Sequence, residues 1–280
     1  MTAAEELGLT PAQEDLVRAW FDEGACEVAP RLAATVVLLR EHAGVLETFL
    51  MRRTSTMSFM PGVFVFPGGG VEPRDHEPHA GWSGPDLADW AQCLGLEPGI
   101  ALGLLTAAVR ELFEEADVLL ADGGDLGVLR RELDAGASLA ALLADGRLAM
   151  RTELMRPLTR WVTPAWVPKR FDTWFFVARL PEGALGRVAT TESTESRWAP
   201  VDAAIEDGEA GTLPLPRATL DVLRDVREHG SLDAVMASWA SPPRHQGRAE
   251  RDGADIRTWV DRVEAGPRHP VDAVAPPPAS

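Results

Sequence analysis

Lysine is almost missing from this chain: Lys169 is the only one, so arginine carries nearly all of the positive charge. Even so, 27 basic residues stand against 43 acidic ones, for a net charge of −16. That deficit argues against a sequence-independent nucleic-acid binder, which needs a basic face to neutralise phosphates. It leaves room for a small anionic substrate, because a few arginines and a metal ion reverse the field inside a cleft. Cysteine is scarce as well, with only Cys26 and Cys93, far apart and in no metal-like spacing. This speaks against a disulfide scaffold and suits a reducing cytosol, so a cytoplasmic location is the expectation. No stretch approaches the roughly 18 apolar residues of a membrane span. The first residues lack the basic and then apolar order of a signal peptide, and the final Pro-Pro-Pro-Ala-Ser is not a peroxisomal address. A Gly-x-Ser-x-Gly elbow, a Walker loop and a Gly-x-Gly-x-x-Gly fingerprint are all absent, which removes the commoner hydrolase and dinucleotide readings. The Ala, Gly and Pro usage, with arginine in place of lysine, is of a GC-rich bacterial type.

What is present is an ordinary globular composition, 45% hydrophobic and 25% charged over 280 residues, enough to bury a real core. Thr10-Pro11 opens a helix to Phe21, within an N-terminal helical segment at 1–30. Residues 32–40 and 45–52 are β-rich runs around Glu41-His42-Ala43-Gly44, which predicts a hairpin. A short strand over Val63–Phe66 runs into Pro67-Gly68-Gly69-Gly70. Residues 76–100 are rich in Pro, Gly, His and Trp and read as an insertion, with a short helix near Asp86 to Cys93. His76 and His79 invite a zinc reading, but with no third ligand the segment reads as a solvated loop. Helical patterns follow over 100–116, 138–143, 216–228 and 231–239, and strands over 158–167, 171–180 and 195–200. The main domain is thus expected over 31–240. Residues 241–280 read as a Pro- and Arg-rich, loosely ordered tail with a short helix near Asp255 to Val263. Irregular alternation of strands and helices predicts an α/β fold, a mixed sheet with helices on both faces.

The chemistry concentrates in Arg110-Glu111-Leu112-Phe113-Glu114-Glu115-Ala116-Asp117-Val118. On a helix, residues three and four apart are neighbours, so Glu111 shares a face with Glu114 and Glu115. Crowded carboxylates repel, and a hard divalent cation resolves that repulsion because it takes carboxylate oxygens together with water and substrate phosphates. Alone, the pattern reads equally as a solvated acidic face. The glycine run upstream shifts the balance, since it offers bare backbone at close range to a metal or phosphate.

These residues resemble the Nudix signature: Gly, five residues, Glu, seven residues, then Arg-Glu-(aliphatic)-x-Glu-Glu-x-Gly-(aliphatic). Gly69 takes the first position and Asp75 the first acidic one, and residues 110–116 match the second half residue for residue. Three departures stand out: Asp75 is shorter than Glu, Asp117 replaces Gly, and 34 residues separate Asp75 from Arg110 in place of seven. Asp117 is expected to close the helix in the left-handed conformation that Gly adopts freely and Asp tolerates. The long gap resembles a branch of the family, the peroxisomal-type acyl-coenzyme A diphosphatases. So do three further runs: Arg53 to Gly69 with its Phe59-Met60-Pro61-Gly62, Arg170-Phe171-Asp172-Thr173-Trp174-Phe175-Phe176, and Glu195-Ser196-Arg197-Trp198-Ala199-Pro200.

The resemblance implies a Nudix-type α/β/α sandwich carrying an inserted helical and loop segment. It also implies hydrolysis of a diphosphate linkage by a metal-activated water, with Mg²⁺ or Mn²⁺ as cofactor. By carry-over, Glu111, Glu114, Glu115 and the Gly68 carbonyl are the metal ligands. Glu111 or Glu195 is the candidate general base, with Glu192 a third. Arg52, Arg53 and Arg170 are candidates for gripping the substrate phosphates. Coenzyme A or an acyl-coenzyme A is the expected substrate. ADP-ribose or a dinucleotide such as NADH is the enzymatic alternative, and an inactive nucleotide-binding regulatory module is the other. The expected partner is a small nucleotide, with neither nucleic acid nor membrane and with a homodimer open. Trp82 and Trp90 of the insertion either lid the substrate or pack on the domain.

Overall fold

A computed structural model describes residues 5–24, 27–55, 60–79, 81–190, 193–253 and 255–264. The chain opens with a two-residue strand β1 (Glu5–Glu6) and helix α1 (Pro11–Glu23). Thr10 and Gln13 form a capping box at the start of α1, Pro11 fills its first turn, and Gly24 ends it at φ 59°. Strands β2 (Arg31–His42) and β3 (Val45–Arg53) form the expected hairpin. Its turn residues Ala43 and Gly44 both have positive φ, 52° and 78°, which matches the twist of the two strands. Strands β4 (Phe64–Val65) and β5 (Gly68–Gly70) then pair with β3 and β2.

A 3₁₀ turn, Pro73–His76, leads into the insertion, which holds β6 (Trp82–Ser83) and α2 (Leu87–Leu94). Helix α3 (Pro98–Ala116) carries the acidic motif and leaves α2 at an angle of 99°. After it come β7 (Ala121–Asp122), α4 (Leu126–Asp134), α5 (Leu139–Ala144) and β8 (Ala149–Arg151). The second half has β9 (Met155–Val162), β10 (Phe171–Arg179), β11 (Ser193–Pro200), α6 (Val201–Glu209), α7 (Arg217–His229) and α8 (Leu232–Ala237). It closes with the hairpin β12 (Arg244–Asp252) and β13 (Asp255–Val263).

Among the described residues these strands make one 10-stranded sheet, ordered β1-β13-β12-β9-β10-β2-β3-β11, with β4 and β5 attached to β3 and β2. The β10–β2 and β12–β9 pairs are parallel and the rest antiparallel, so the sheet is mixed. Strands β6, β8 and β7 form a separate small sheet beside the insertion. Alternation along the long strands builds two cores. Ala34, Val36, Leu38 and Phe49 meet α2, α3 and α5 on one face. Val37, Leu39, Leu50 and Val177 meet α6, α7 and α8 on the other. Leu104, Leu105, Leu112 and Phe113 of α3 are wholly buried in the first core. At about 1.5–3 kcal/mol for each such side chain, that burial alone fixes which face α3 presents to the sheet. The outcome is the expected α/β sandwich with helices on both faces. No single described helix is long and apolar enough to cross a membrane.

Three expectations need correction. Residues 244–263 are not a loose tail with a helix near Asp255 to Val263; they are a hairpin that joins the main sheet beside β9. Arg, Asp and Glu occupy both faces of its distal half, so the period-two apolar signal of a strand is absent there and backbone pairing carries the element. The strand expected over 158–167 ends at Val162, where Pro164 leaves the ladder. Helices α4 and α6 were not expected, being two turns each with too few apolar positions to set a period. Cys26 and Glu192 lie outside the described residues, as do 56–59 of the Arg53–Gly69 run and 265–280 of the tail.

Candidate functional site

Strand β5 and the last three turns of α3 build the site. Gly68, Gly69 and Gly70 pair with Thr35, Ala34 and Ala33 of β2, which holds the glycine run flat against the sheet edge under α3. A Cβ on Gly68 would stand 2.5 Å from the Ala34 carbonyl oxygen, and one on Gly69 only 2.3 Å from Glu111 Oε1. Glycine here answers a steric demand: the acidic face of α3 approaches the backbone closer than any side chain permits. The Gly68 amide donates to Glu115 Oε2 at 2.8 Å, tying loop and helix directly.

Arg110 organises the carboxylates. Its Nε and Nη2 donate to the two oxygens of Asp75 at 3.0 and 2.8 Å, a bidentate pair with side chains 6% and 2% exposed. Nη2 also donates to the Gly70 carbonyl at 3.0 Å, and Nη1 reaches Glu111 at 2.8 Å and Glu114 at 3.3 Å. Asp75 is fixed in turn by the Glu72 amide at 2.8 Å. The first acidic residue of the signature therefore sets the rotamer of Arg110 and stands behind it, away from the open side. Burial pushes the Glu111 carboxyl up to about 7 and raises Glu114, against the pull of Arg110 on both.

Asp117 adopts φ 56° and ψ 32°, the left-handed cap expected of it, and its amide donates to the Phe113 carbonyl at 3.1 Å. It does more than Gly can, because its carboxylate accepts from Arg130 at 3.0 Å and from Arg187 Nε at 2.8 Å. Burial alone would raise this carboxyl, yet the two guanidinium groups hold it below its ordinary value. Nothing in the linear pattern pointed to Arg130 or Arg187. The only hint was a helix that ends in acids, with no basic residue in its last turn to meet the negative end of its dipole.

The other candidates are placed differently. Glu195 lies opposite Arg52 in the β11–β3 pair, 4.0 Å away, and accepts from Arg197 at 2.9 Å. Strand alternation puts Glu195, Arg197 and Arg52 on the face of Leu50 and Ala199, the one covered by α6 to α8. The glutamates of α3 belong to the other face, so the structure does not bring Glu195 to them. Arg52 is half-exposed, and its Nε donates to the Gly62 carbonyl at 3.1 Å; Arg53 follows it, with its backbone bonded to Gly62 and Val63.

Arg170 is the clearest correction. Its side chain is 1% exposed, and its guanidinium is committed to Glu27 and to the Val28 and Thr163 carbonyls, the first two at 2.6 Å. It ties the segment after α1 to the β9–β10 connection and presents no surface to a ligand. His76 and His79 are half-buried and held: His76 Nδ1 lies 2.9 Å from the Gly99 carbonyl, and His79 Nε2 lies 3.3 Å from Thr106 Oγ1. Both pin the insertion to α3. Trp90 is wholly buried against Phe176 and Trp239, so it packs on the domain and is no lid. Trp82 is half-buried beside His79.

No family model matches the chain. Among curated proteins, one named nudix hydrolase 7 of Caenorhabditis elegans is 28% identical over 197 residues, covering 66% of this chain. An acyl-coenzyme A diphosphatase of Xenopus laevis is 24% identical over 225 residues, covering 61% of it. The chain spans 57% of the length of each of these two relatives. Among solved structures, a Nudix hydrolase of Alicyclobacillus acidocaldarius is 28% identical and superposes with a TM-score of 0.63, over 78% of this chain and all of that one. The fold, the signature residues and these likenesses agree: the chain resembles the Nudix hydrolases in both sequence and fold.

Proposed function

We propose that the protein hydrolyses the diphosphate bridge of a nucleoside diphosphate derivative with a divalent cation, and that its substrate is coenzyme A or an acyl-coenzyme A. The observation that carries the reading is the helix face of Glu111, Glu114 and Glu115, with Glu111 and Glu115 against Gly68 and Gly69, two positions that admit no side chain. The described acids do not form a closed cage as they stand. Arg110 holds Glu111 and Glu114, and the Gly68 amide holds Glu115. The donor set is nonetheless one of hard oxygens only, which fits Mg²⁺ or Mn²⁺ and not a thiophilic metal. Glu111, Glu114, Glu115 and the Gly68 carbonyl would hold the ion. A divalent cation bound there supplies charge neutralisation on the diphosphate and a water acidified for attack.

The chain's own groups complete the chemistry. Arg110, locked by Asp75, keeps the carboxylates oriented and offsets part of their mutual repulsion. Arg53, at the end of β3 on the face of Met51 that meets α3, grips an outer phosphate, whereas Arg52 points to the opposite face beside Glu195. The base is assigned to Glu111, on the glycine side of α3, in preference to Glu195, which is on the other face and engaged by Arg197. It takes a proton from the attacking water as the bridging oxygen leaves with the other phosphate. From coenzyme A and one water the products are 3′,5′-adenosine bisphosphate and 4′-phosphopantetheine. The acyl-coenzyme A assignment is supported by the Xenopus relative's name and by the 34-residue gap inside the signature.

The test is a panel of coenzyme A, an acyl-coenzyme A, ADP-ribose and NADH with Mg²⁺ or Mn²⁺, with products resolved chromatographically. Turnover of coenzyme A or its thioester, abolished in Glu114→Gln and Glu115→Gln proteins that keep their melting temperature, is the expected result. Turnover of ADP-ribose or NADH alone overturns the substrate, and no turnover of any diphosphate overturns the enzyme in favour of a binding module.

A further inference from the structure

The last turn of α3 poses an electrostatic problem. A helix leaves its final four carbonyls without intrahelical donors, and here the same turn carries Glu114 and Glu115 at the negative end of the dipole. Apart from the cap amide of Asp117, which serves the Phe113 carbonyl, the structure supplies the donors from elsewhere in the chain. The Phe113 and Glu114 carbonyls accept from Arg130 of α4 at 2.7 and 3.2 Å. The Glu115 and Ala116 carbonyls accept from the backbone amides of Ala189 and Arg187 at 3.0 and 2.9 Å. Asp117 joins the two sources, because its carboxylate receives Arg130 on one oxygen and Arg187 on the other. The guanidinium of Arg130 also lies 4.5 Å from the ring centroid of Phe113.

The segment that provides these amides is itself held down. Trp198 Nε1 donates to the Leu185 carbonyl at 2.9 Å, and Gly186, at φ +70°, passes so close to Phe49 and Trp198 that a Cβ would meet them at 3.1–3.4 Å. The connection from β10 to β11 is thus fastened at one end to the sheet and at the other to the end of α3.

We propose that Asp117, Arg130 and Arg187 form a positioning clamp, which holds the last turn of α3 against residues 185–189 and so keeps Glu114 and Glu115 in place for the reaction. The residue that departs from the Nudix signature is on this view a gain: Gly at 117 would close the helix but could not recruit either arginine. None of the three is assigned to touch substrate. The Arg187 side chain is 76% exposed, so its pair with Asp117 contributes little to global stability. Its effect is local. The inference rests on the diphosphatase reading above.

The test uses Asp117→Gly, which restores the residue best suited to the left-handed cap, and Arg187→Met, with the whole protein. Arg187→Met is expected to melt within about 2 °C of the parent, as loss of an exposed pair implies, and Asp117→Gly, which also gives up the largely buried pair with Arg130, within about 5 °C. Hydrogen exchange of the Arg187 and Ala189 amides is expected to quicken about tenfold as the segment opens locally. With the substrate that the parent turns over, kcat is expected to fall about tenfold at nearly constant KM, as for carboxylates displaced by a fraction of an ångström. The double variant is expected to be no worse than either single one, and Asp117→Asn to recover part of the loss by keeping one acceptor. Unchanged exchange, or unchanged kcat in an active parent, overturns the clamp alone. A parent that turns over no diphosphate overturns the function and the clamp with it.

Discussion

Replacing Asp75 by Asn isolates the residue that stands behind the whole site. The carboxylate is 1% exposed as a residue and receives three donors: Arg110 Nε on one oxygen, Arg110 Nη2 and the Glu72 amide on the other. An amide of the same volume has one acceptor oxygen in place of two and so satisfies only two of those donors. With its oxygen turned to Nη2 and Glu72, its NH₂ faces Nε donor to donor. Removing one partner of a buried ion pair costs about 3–5 kcal/mol. Arg110 keeps Glu111, Glu114 and the Gly70 carbonyl, which argues for the low end, about 3 kcal/mol. In a domain of this size each kcal/mol moves the melting temperature by about 2–4 °C, so a drop of about 6–12 °C is expected by differential scanning calorimetry. Asp75→Glu, with the charge kept and a methylene added in a filled site, is expected to lose about 1–3 kcal/mol. A loss under about 2 °C in the Asn protein would refute the reasoning, because it would mean that Arg110 does not depend on Asp75.

Other perturbations separate site from scaffold. Gly69→Ala drives a methyl into the Glu111 carboxylate, which can swing away; activity is expected to fall at least tenfold with little change in melting temperature, and retained activity would disconnect Glu111 from the chemistry. Arg170→Ala leaves Glu27 and two carbonyls without their donor and is expected to cost about 2–4 kcal/mol in urea unfolding while KM stays constant; a raised KM at full stability would return Arg170 to the substrate. His245 is stacked on Trp161 and held to a pKa of about 4 by burial first and by Arg262 second. The unfolded chain therefore takes a proton below pH 6.5 that the folded one refuses, and stability is lost as pH falls from 6.5 toward 4, by about 2 kcal/mol at pH 5. Half-buried Asp225, raised to about 6, acts in the opposite sense, so the measured quantity is the pH-dependent difference between the parent and His245→Gln; no difference between pH 7.5 and 5 would refute it.

What could be read from the linear chain was what depends on neighbours in sequence. Glu111, Glu114 and Glu115 share a face by helical spacing alone, and Asp117 closes α3 because the conformational tolerance of Asp is a local property. The β2–β3 hairpin announced itself through Gly44 and two apolar runs. What escaped depends on partners far along the chain. Arg130 and Arg187 reach Asp117 from 13 and 70 residues away, and no spacing rule connects them. Arg170 was misplaced for the converse reason: a run that resembles its family counterpart says nothing of which way a buried guanidinium points. The β12–β13 hairpin was hidden by charge, since backbone pairing asks nothing of the side chains on an exposed face.

The 34-residue gap inside the signature looked at first like its weakest point, since Asp75 and Arg110 must meet across it. Loop closure grows only with the logarithm of length, so a gap of 34 in place of seven costs about 1.4 kcal/mol more if the segment is slack. The segment is not slack. Immediately after Asp75, the His76 ring packs on Gly103 so tightly that a Cβ there would stand 2.4 Å from it, and His76 Nδ1 meets the Gly99 carbonyl. The excursion is thus stapled to the start of α3, and α2 returns it by burying Trp90 and Leu94 in the core shared with that helix. By the scale that gives about 1.5–3 kcal/mol for a buried large side chain, those contacts more than offset the closure term. The ends of the gap are held in register by their own packing, and that packing lets the Asp75–Arg110 pair keep its geometry across 34 intervening residues.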